Sequence, residues 1–372
     1  MRLSKLNQKF EDDYDVMIVG GGPAGLATWL YLNYLSPEIA SRTVLIEKEI
    51  YPREKLCGGA LGGWTEEALK QLKIDMDIPS VYIHTLECRL GQNSCQIEEK
   101  NFFRIVRRCE FDYVLAQTAR KQGLHLCENE IFLDMRRNKN CIYAKTNRGV
   151  YKLKTLIGAD GALSAVRKKM NLPEKPILAP GMEIFHPADA QYDPEFENNK
   201  ALLDFSPIKE GLEGYVWHFP CIVDEKPMMN HGIVDFRISS KRHKANLKEI
   251  FNRELKLRNI DCKPQFWNGH PIPWCKNETN ISQHNILLVG DAAGIEPAIG
   301  GGIHLAFSYG EVAAMCIIEA FSKNSFSYND YQLRMHSHIL GKYIHKLTEL
   351  SKIMYTDMNK TLDIALKIFS KK

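Results

Sequence analysis

The chain has 372 residues, 44% of them apolar and 25% charged, which suits a folded globular protein of about two domains and excludes a disordered chain or a bundle of membrane spans. The formal net charge is only +4, and the lysines and arginines are scattered among acids, so the concentrated basic face of a nucleic-acid binder is missing. Ten cysteines contain no Cys-x-x-Cys pair, so no zinc, iron–sulfur or thioredoxin-type site is expected.

The N-terminal run Met1 to Tyr14 is polar and charged and does not read as a signal peptide. Reduced thiols in a cytoplasmic setting are therefore expected, where the sequons at Asn277 and Asn280 carry no meaning. The apolar run from Val16 to Leu35 is interrupted by Gly20, Gly21, Gly22, Pro23, Gly25 and Asn33. A strand, a phosphate loop and a helix explain it better than a membrane span.

In chain order, residues 14–19 are a short β-branched run expected as a buried parallel strand, and 24–35 a helix. Residues 43–48 form a second buried strand, which completes a βαβ unit. Its turn reads Gly20-x-Gly22-x-x-Gly25, with Pro23 and Ala24 opening the helix. Gly20 permits the tight turn, Gly22 lets the backbone approach a pyrophosphate, and Gly25 lets helix and strand pack closely. The helix N-terminus offers free N–H groups to phosphate, and Glu47, with Lys48 beside it, stands where a ribose hydroxyl would be held. This motif alone leaves FAD and NAD both open.

Short alternating strands are expected from about Val81 to Arg104, then a helix over 110–122 with Phe111, Val114, Leu115 and Ala119 on one face. At Asp160-Gly161 a strand ends in a tight turn, with Ser164 placed to cap the next helix. Residues 175–283 are rich in aromatics and prolines and alternate, as a second antiparallel sheet would. A buried strand then ends at Gly290-Asp291, where Asp291 would reach a ribityl hydroxyl. Gly300, Gly301, Gly302 and Ile303 open a helix whose positive end suits an anionic ring.

These three motifs, in this order, resemble the p-hydroxybenzoate hydroxylase class of flavoproteins. The resemblance implies an α/β fold: a discontinuous Rossmann-type FAD-binding domain (1–80, 105–174, 280–326), a second α+β substrate domain on an antiparallel sheet (81–104, 175–279) and a helical C-terminus (327–372). It implies FAD as the resident cofactor and Arg108 near its phosphates. With one glycine motif only, NAD(P)H or an electron-donor protein would visit transiently.

Two further stretches resemble the geranylgeranyl reductase family. One is Cys57-Gly58-Gly59; the other is Tyr215-x-Trp217-x-Phe219-Pro220. A strand puts Tyr215, Trp217 and Phe219 on one face, which suits either an apolar elongated substrate or an ordinary core. Cys57 reads equally as a substrate-positioning or proton-supplying thiol and as a small buried hydrophobe. The family resemblance implies reduction of carbon–carbon double bonds in a prenyl-type substrate, with Cys57, Tyr215 and Trp217 as catalytic candidates. A monooxygenase acting on a hydrophobic or aromatic molecule is the alternative, and a flavoprotein without turnover a third. Two departures from the family stand out: a short C-terminus, which would shorten a lipid tunnel, and the loop Ile299-Gly-Gly-Gly302, whose lack of an acid would remove a charge near the flavin. The basic C-terminal helices read either as a membrane-surface element or as helices packed on their own domain.

Overall fold

The computed structural model describes residues 10–11, 14–138, 141–239, 243–274 and 280–370. Cys275, the sequon asparagine Asn277 and the terminal Lys371 and Lys372 lie outside the described residues, as does most of the polar N-terminal run.

A six-stranded, mostly parallel sheet carries the first expected motif. Val16–Val19 lies between Thr43–Glu47 and Thr155–Gly158, and Ile286–Leu288 follows on the far side of Thr155–Gly158. All four strands are fully buried, which is why they read as continuous apolar runs rather than as alternation. The helix Pro23–Leu35 packs along Gly302–Ser322, and both cover the sheet. Their approach is close because Gly310 meets the backbone of Ala27 and Thr28, where a Cβ would sit 2.6 Å from Thr28 N. The helix expected over 110–122 runs Arg108–Lys121, with Phe111, Leu115, Ala116 and Ala119 buried.

The second sheet has eight strands in the order Asn268–Trp274, Ile177–Pro187, Lys226–Asp235, Gly214–Val223, Lys200–Asp204, Ser80–Leu90, Asn93–Val106 and Ala60–Leu61. The last strand comes from the segment expected in the first domain, so the Cys57 loop is tied to both sheets. One face of this sheet rests on the amphipathic helix Leu247–Leu257 through Val216, Ile233, Ile250 and Phe251. The other carries Tyr215, Trp217 and Phe219 and faces the C-terminal helices. A smaller sheet of Phe10–Glu11, Val150–Leu153, Ile142–Thr146 and Phe132–Arg137 flanks the first.

The C-terminal helices Tyr331–Ser337, Ile339–Thr356 and Thr361–Phe369 pack on the protein. Leu347, Met354, Tyr355, Ile364 and Ala365 join the core that holds Tyr215 and Phe236. Gly302–Ser322 is long and apolar enough to cross a membrane by length and composition, yet 61% of its most apolar window is buried inside the fold, as in a core helix.

Candidate functional site

One cavity of about 1380 Å³ runs from the glycine loop, past the Cys57 loop, to the aromatic strand and out beside the C-terminal helices. Single-ligand sites are typically about 300–1000 Å³, so this space suits a cofactor and a substrate together.

At one end the backbone is shaped for phosphate. Gly20 has φ +107°, and a Cβ there would lie 2.4 Å from Ala159 O. A Cβ on Gly25 would lie 2.0 Å from Gly20 O, so helix and turn touch. Gly22 differs: its missing Cβ points at open space, with the nearest atoms, Arg53 Nη2 and Arg108 Nη2, each 3.9 Å away. Both guanidinium groups are tethered to Asp112, which is fully buried. Arg108 donates twice at 2.8 Å and Arg53 Nη2 stands 3.2 Å away. Arg53 Nε is buried with no hydrogen-bond partner among the described residues. A cradle that a Cβ would fill, two fixed cations and an orphaned donor fit the pyrophosphate of FAD.

The expected cofactor residues gather around this end, with some turned to other work. Gly20, Gly22, Pro23, Ala24, Glu47, Lys48, Arg108, Asp160, Gly161 and Asp291 all line the cavity, while Gly25 lies behind the loop, against Gly20. Glu47 accepts from Gly21 N at 2.8 Å and so holds the loop itself. Lys48 is exposed at the rim, beside Glu49. Asp160 accepts from Ala165 N and Val166 N, at 2.6 and 3.1 Å, and so anchors the helix after the turn, while Gly161 has φ +76°. Ser164 caps that helix through Arg167 N, as expected. Gly290 has φ +57° and is pressed against Ala24. Burial raises the Asp291 carboxyl above its ordinary range, and Lys55 and Arg108 partly offset this. Gly301, Gly302 and Ile303 open the long helix beside the same space.

The acid that the loop Ile299–Gly302 was expected to lack is supplied from three residues upstream. Ala298, Gly300 and Gly301 all have positive φ, and this folds the loop back over Glu296. Its carboxylate accepts from Ile299 N at 3.0 Å and Gly300 N at 2.6 Å. Burial pushes its pKa up to about 7 against those donors.

Cys57 lies between the two ends. Its Sγ accepts from Gly59 N at 3.4 Å, and burial pushes the thiol up despite nearby Arg108, so the conditions for a thiolate at neutral pH are not met. Gly58 lies under Phe219, with 3.1 Å from its missing Cβ to the ring. Tyr215, Trp217 and Phe219 all wall the cavity, so the aromatic face looks onto space rather than onto a closed core. Trp217 fits because Gly232 leaves room: a Cβ there would lie 2.0 Å from the indole. The indole N–H donates to Asn230 Oδ1 at 2.7 Å. Burial raises the Tyr215 hydroxyl.

Sequence reading missed several residues at this site. Arg53 and Lys55 belong to the Cys57 run, and their charge beside a glycine loop was the available signal. Burial pulls Lys55 down to about 8, and its Nζ meets His270 Nε2. Glu183 lines the cavity from an alternating strand where nothing local marks it. His304, in the first turn of the long helix, is pulled by burial down to about 4 and packs edge-on against Trp64.

No family model matches the chain. It is 28% identical over 333 residues to a digeranylgeranylglycerophospholipid reductase of Methanocaldococcus jannaschii, covering 86% of this chain and 81% of that one. It is 25% identical over 339 residues to an uncharacterized protein of Methanosarcina barkeri, covering 88% and 80%. Among solved structures, a geranylgeranyl bacteriochlorophyll reductase-like protein of Thermoplasma acidophilum superposes with a TM-score of 0.77 at 22% identity, covering 97% and 92%. The p-nitrophenol 4-monooxygenase of Pseudomonas putida gives 0.69 at 17% identity, covering 97% and 96%. Fold and phosphate cradle together define an FAD-dependent oxidoreductase with a Rossmann-type cofactor domain. Within that class the chain is similar to proteins of the geranylgeranyl reductase family.

Proposed function

We propose that the protein reduces carbon–carbon double bonds in the prenyl chains of a lipid. The observation that carries this reading is the continuity of the cavity. The phosphate cradle opens directly onto a wall of Tyr215, Trp217 and Phe219, and the space continues past Phe102, Phe103, Leu347, Leu350 and Phe369. An elongated apolar chain fits such a passage, and a compact polar substrate does not. Residues of Ile339–Thr356 and Thr361–Phe369 form part of the passage wall.

When bound, FAD supplies hydride-transfer chemistry. Arg53, Arg108 and the glycine loop would hold its phosphates. Glu296 fixes the backbone of the loop that opens the long helix, so the N–H groups and the positive end of that helix stand ready for developing negative charge. The aromatic strand excludes water and holds the chain, and Cys57, Tyr215 and Trp217 border the reacting region. The reducing equivalents would come from outside the chain, from NAD(P)H or a donor protein. The protein works in the cytoplasm, with its cavity mouth against a membrane where the lipid resides.

The test is an anaerobic single turnover. Pre-reduced holoprotein is mixed with lipid bearing geranylgeranyl chains, and product is read by mass spectrometry. Gain of two hydrogens per double bond supports the reading. An oxygenated product that forms only in air overturns it in favour of a monooxygenase.

A further inference from the structure

We propose that Glu183 is the general acid of this site, delivering the proton to the alkene carbon that does not receive hydride; the inference rests on the reductase reading above. Three observations place it. Glu183 is 3% exposed, and it lines the cavity together with Cys57, Trp217 and Phe219. Its Oε1 accepts from Cys57 N at 3.2 Å, which ties the acid to the tip of the loop. Asn230 locks the same corner: its amide donates to the Glu183 carboxyl and to Cys57 O, and its Oδ1 takes the Trp217 N–H.

The competing donors are less suited. The Cys57 thiol and the Tyr215 hydroxyl are weak acids made weaker by burial. Glu296 has two backbone N–H groups on its carboxylate, and these hold it as a brace for its own loop. Glu183 has a single backbone donor among the described residues. Burial lifts it to about 7, and its facing groups oppose that: the Cys57 N–H and Asn230 amide, then Arg107 and Lys55. Cys221 lies on the next strand but one, and His270 lies on the neighbouring strand opposite Gly181, two residues from Glu183. A carboxyl poised near neutral pH is both available and strong enough to protonate carbon-centred charge.

The step balances. The π bond breaks, and two C–H bonds form, one from hydride carried by reduced flavin and one from the Glu183 proton. The carboxylate left behind takes a proton from water.

Glu183→Gln preserves the shape and the hydrogen bonds to Asn230, and the flavin spectrum reports whether the variant still folds and holds FAD. Two readouts follow. In infrared pH titration of wild-type holoprotein, carboxylic-acid carbonyl absorbance from Glu183 and Glu296 disappears with a midpoint of about 7, and Glu183→Gln lacks the Glu183 share while the Glu296 share remains. In anaerobic single turnover, wild-type rate falls as pH rises through that midpoint. Glu183→Gln slows reduction by about 100-fold or more and loses that limb, and Glu183→Asp restores part of both. Wild-type product with Glu183→Gln within about threefold and an unchanged pH profile overturns the assignment alone. So does an infrared spectrum showing Glu183 ionised well below neutral pH. Absence of product from wild-type holoprotein whose flavin reduces normally overturns the reductase reading, and the assignment with it.

Discussion

At the phosphate end of the cavity, charge is abundant and held by the protein itself: Arg108 and Arg53 on Asp112, Glu47 on Gly21 N. At the apolar end the walls are rings from separate stretches of chain, and the polar atoms that remain, Glu183, Asn230 and the Trp217 N–H, form one small network. The first end is stiff before any ligand arrives, because its cations are already paired. The second is poised, because a carboxyl sits there near its midpoint. In the proposed reaction, phosphate binding and proton supply are thereby separated along one cavity.

The harshest way to break that contrast is to remove Asp112. Asp112→Ala leaves two buried guanidinium groups without their shared anion, a change that costs about 3–5 kcal/mol. Chemical denaturation measures it, and flavin absorbance follows the loss of FAD. An equal loss on Trp217→Phe, at the other end, would contradict the view that rigidity is concentrated at the phosphates.

The pH dependence of stability separates the ends next. Glu183 and Glu296 are raised in the folded state, from a usual value near 4.5 to about 7. Between those values the folded protein binds more protons than the unfolded chain, so each group's contribution is present below about pH 4.5 and lost as pH rises through about 7. His304 and His270, each held down to about 4, act with the opposite sign and favour folding as pH rises toward 6.5. The wild-type profile is a sum of such opposing contributions, to which the buried His218 and His231, also held down, add with the histidine sign. The difference between Glu183→Gln and wild type isolates one carboxyl: the variant gains relative stability between pH 5 and 7, by at most about 3 kcal/mol. A difference that stays level across that window means Glu183 is not raised.

A smaller effect distinguishes the glycines. Gly22→Ala adds a methyl where the protein leaves space, so melting without FAD stays unchanged while FAD affinity falls about tenfold, or about 1.4 kcal/mol. Calorimetric titration of FAD into the stripped protein checks it. Unchanged affinity would mean that the phosphates do not sit over Gly22.

The same division explains what could be read from the sequence. The phosphate end was legible because its conformational demands fall on consecutive residues: Gly20, Gly22 and Gly25 within one turn, Gly290 and Asp291 at a strand end. The aromatic strand was legible as a face but not as a cavity wall, since Gly232, which makes room for Trp217, lies across the sheet. Glu183 and Asn230 are brought together by strand pairing and meet the Cys57 loop through hydrogen bonds, and no local spacing marks them. Glu296 is the instructive failure. It stood inside the glycine motif, and the loop was still expected to lack an acid, because only the positive φ angles of Ala298, Gly300 and Gly301 turn its carboxylate back onto Gly300 N.

The mouth of the cavity carries the smallest effect and joins the apolar end to its setting. Lys346 and Lys367 stand there, exposed, on the helices that wall the passage. If the mouth rests on a membrane, each contributes about 1 kcal/mol toward an anionic surface and little toward a neutral one. Lys346→Ala with Lys367→Ala then weakens binding to vesicles rich in anionic lipid by roughly ten- to thirtyfold at low salt, with the gap narrowing as ionic strength rises. Vesicle sedimentation in anionic and neutral lipid, side by side, reads this directly. The substitutions touch neither Arg53 nor Arg108, so FAD retention stays at the wild-type level. Equal partitioning of variant and wild type into anionic vesicles would place the lysines in plain solvent and leave substrate delivery to another face.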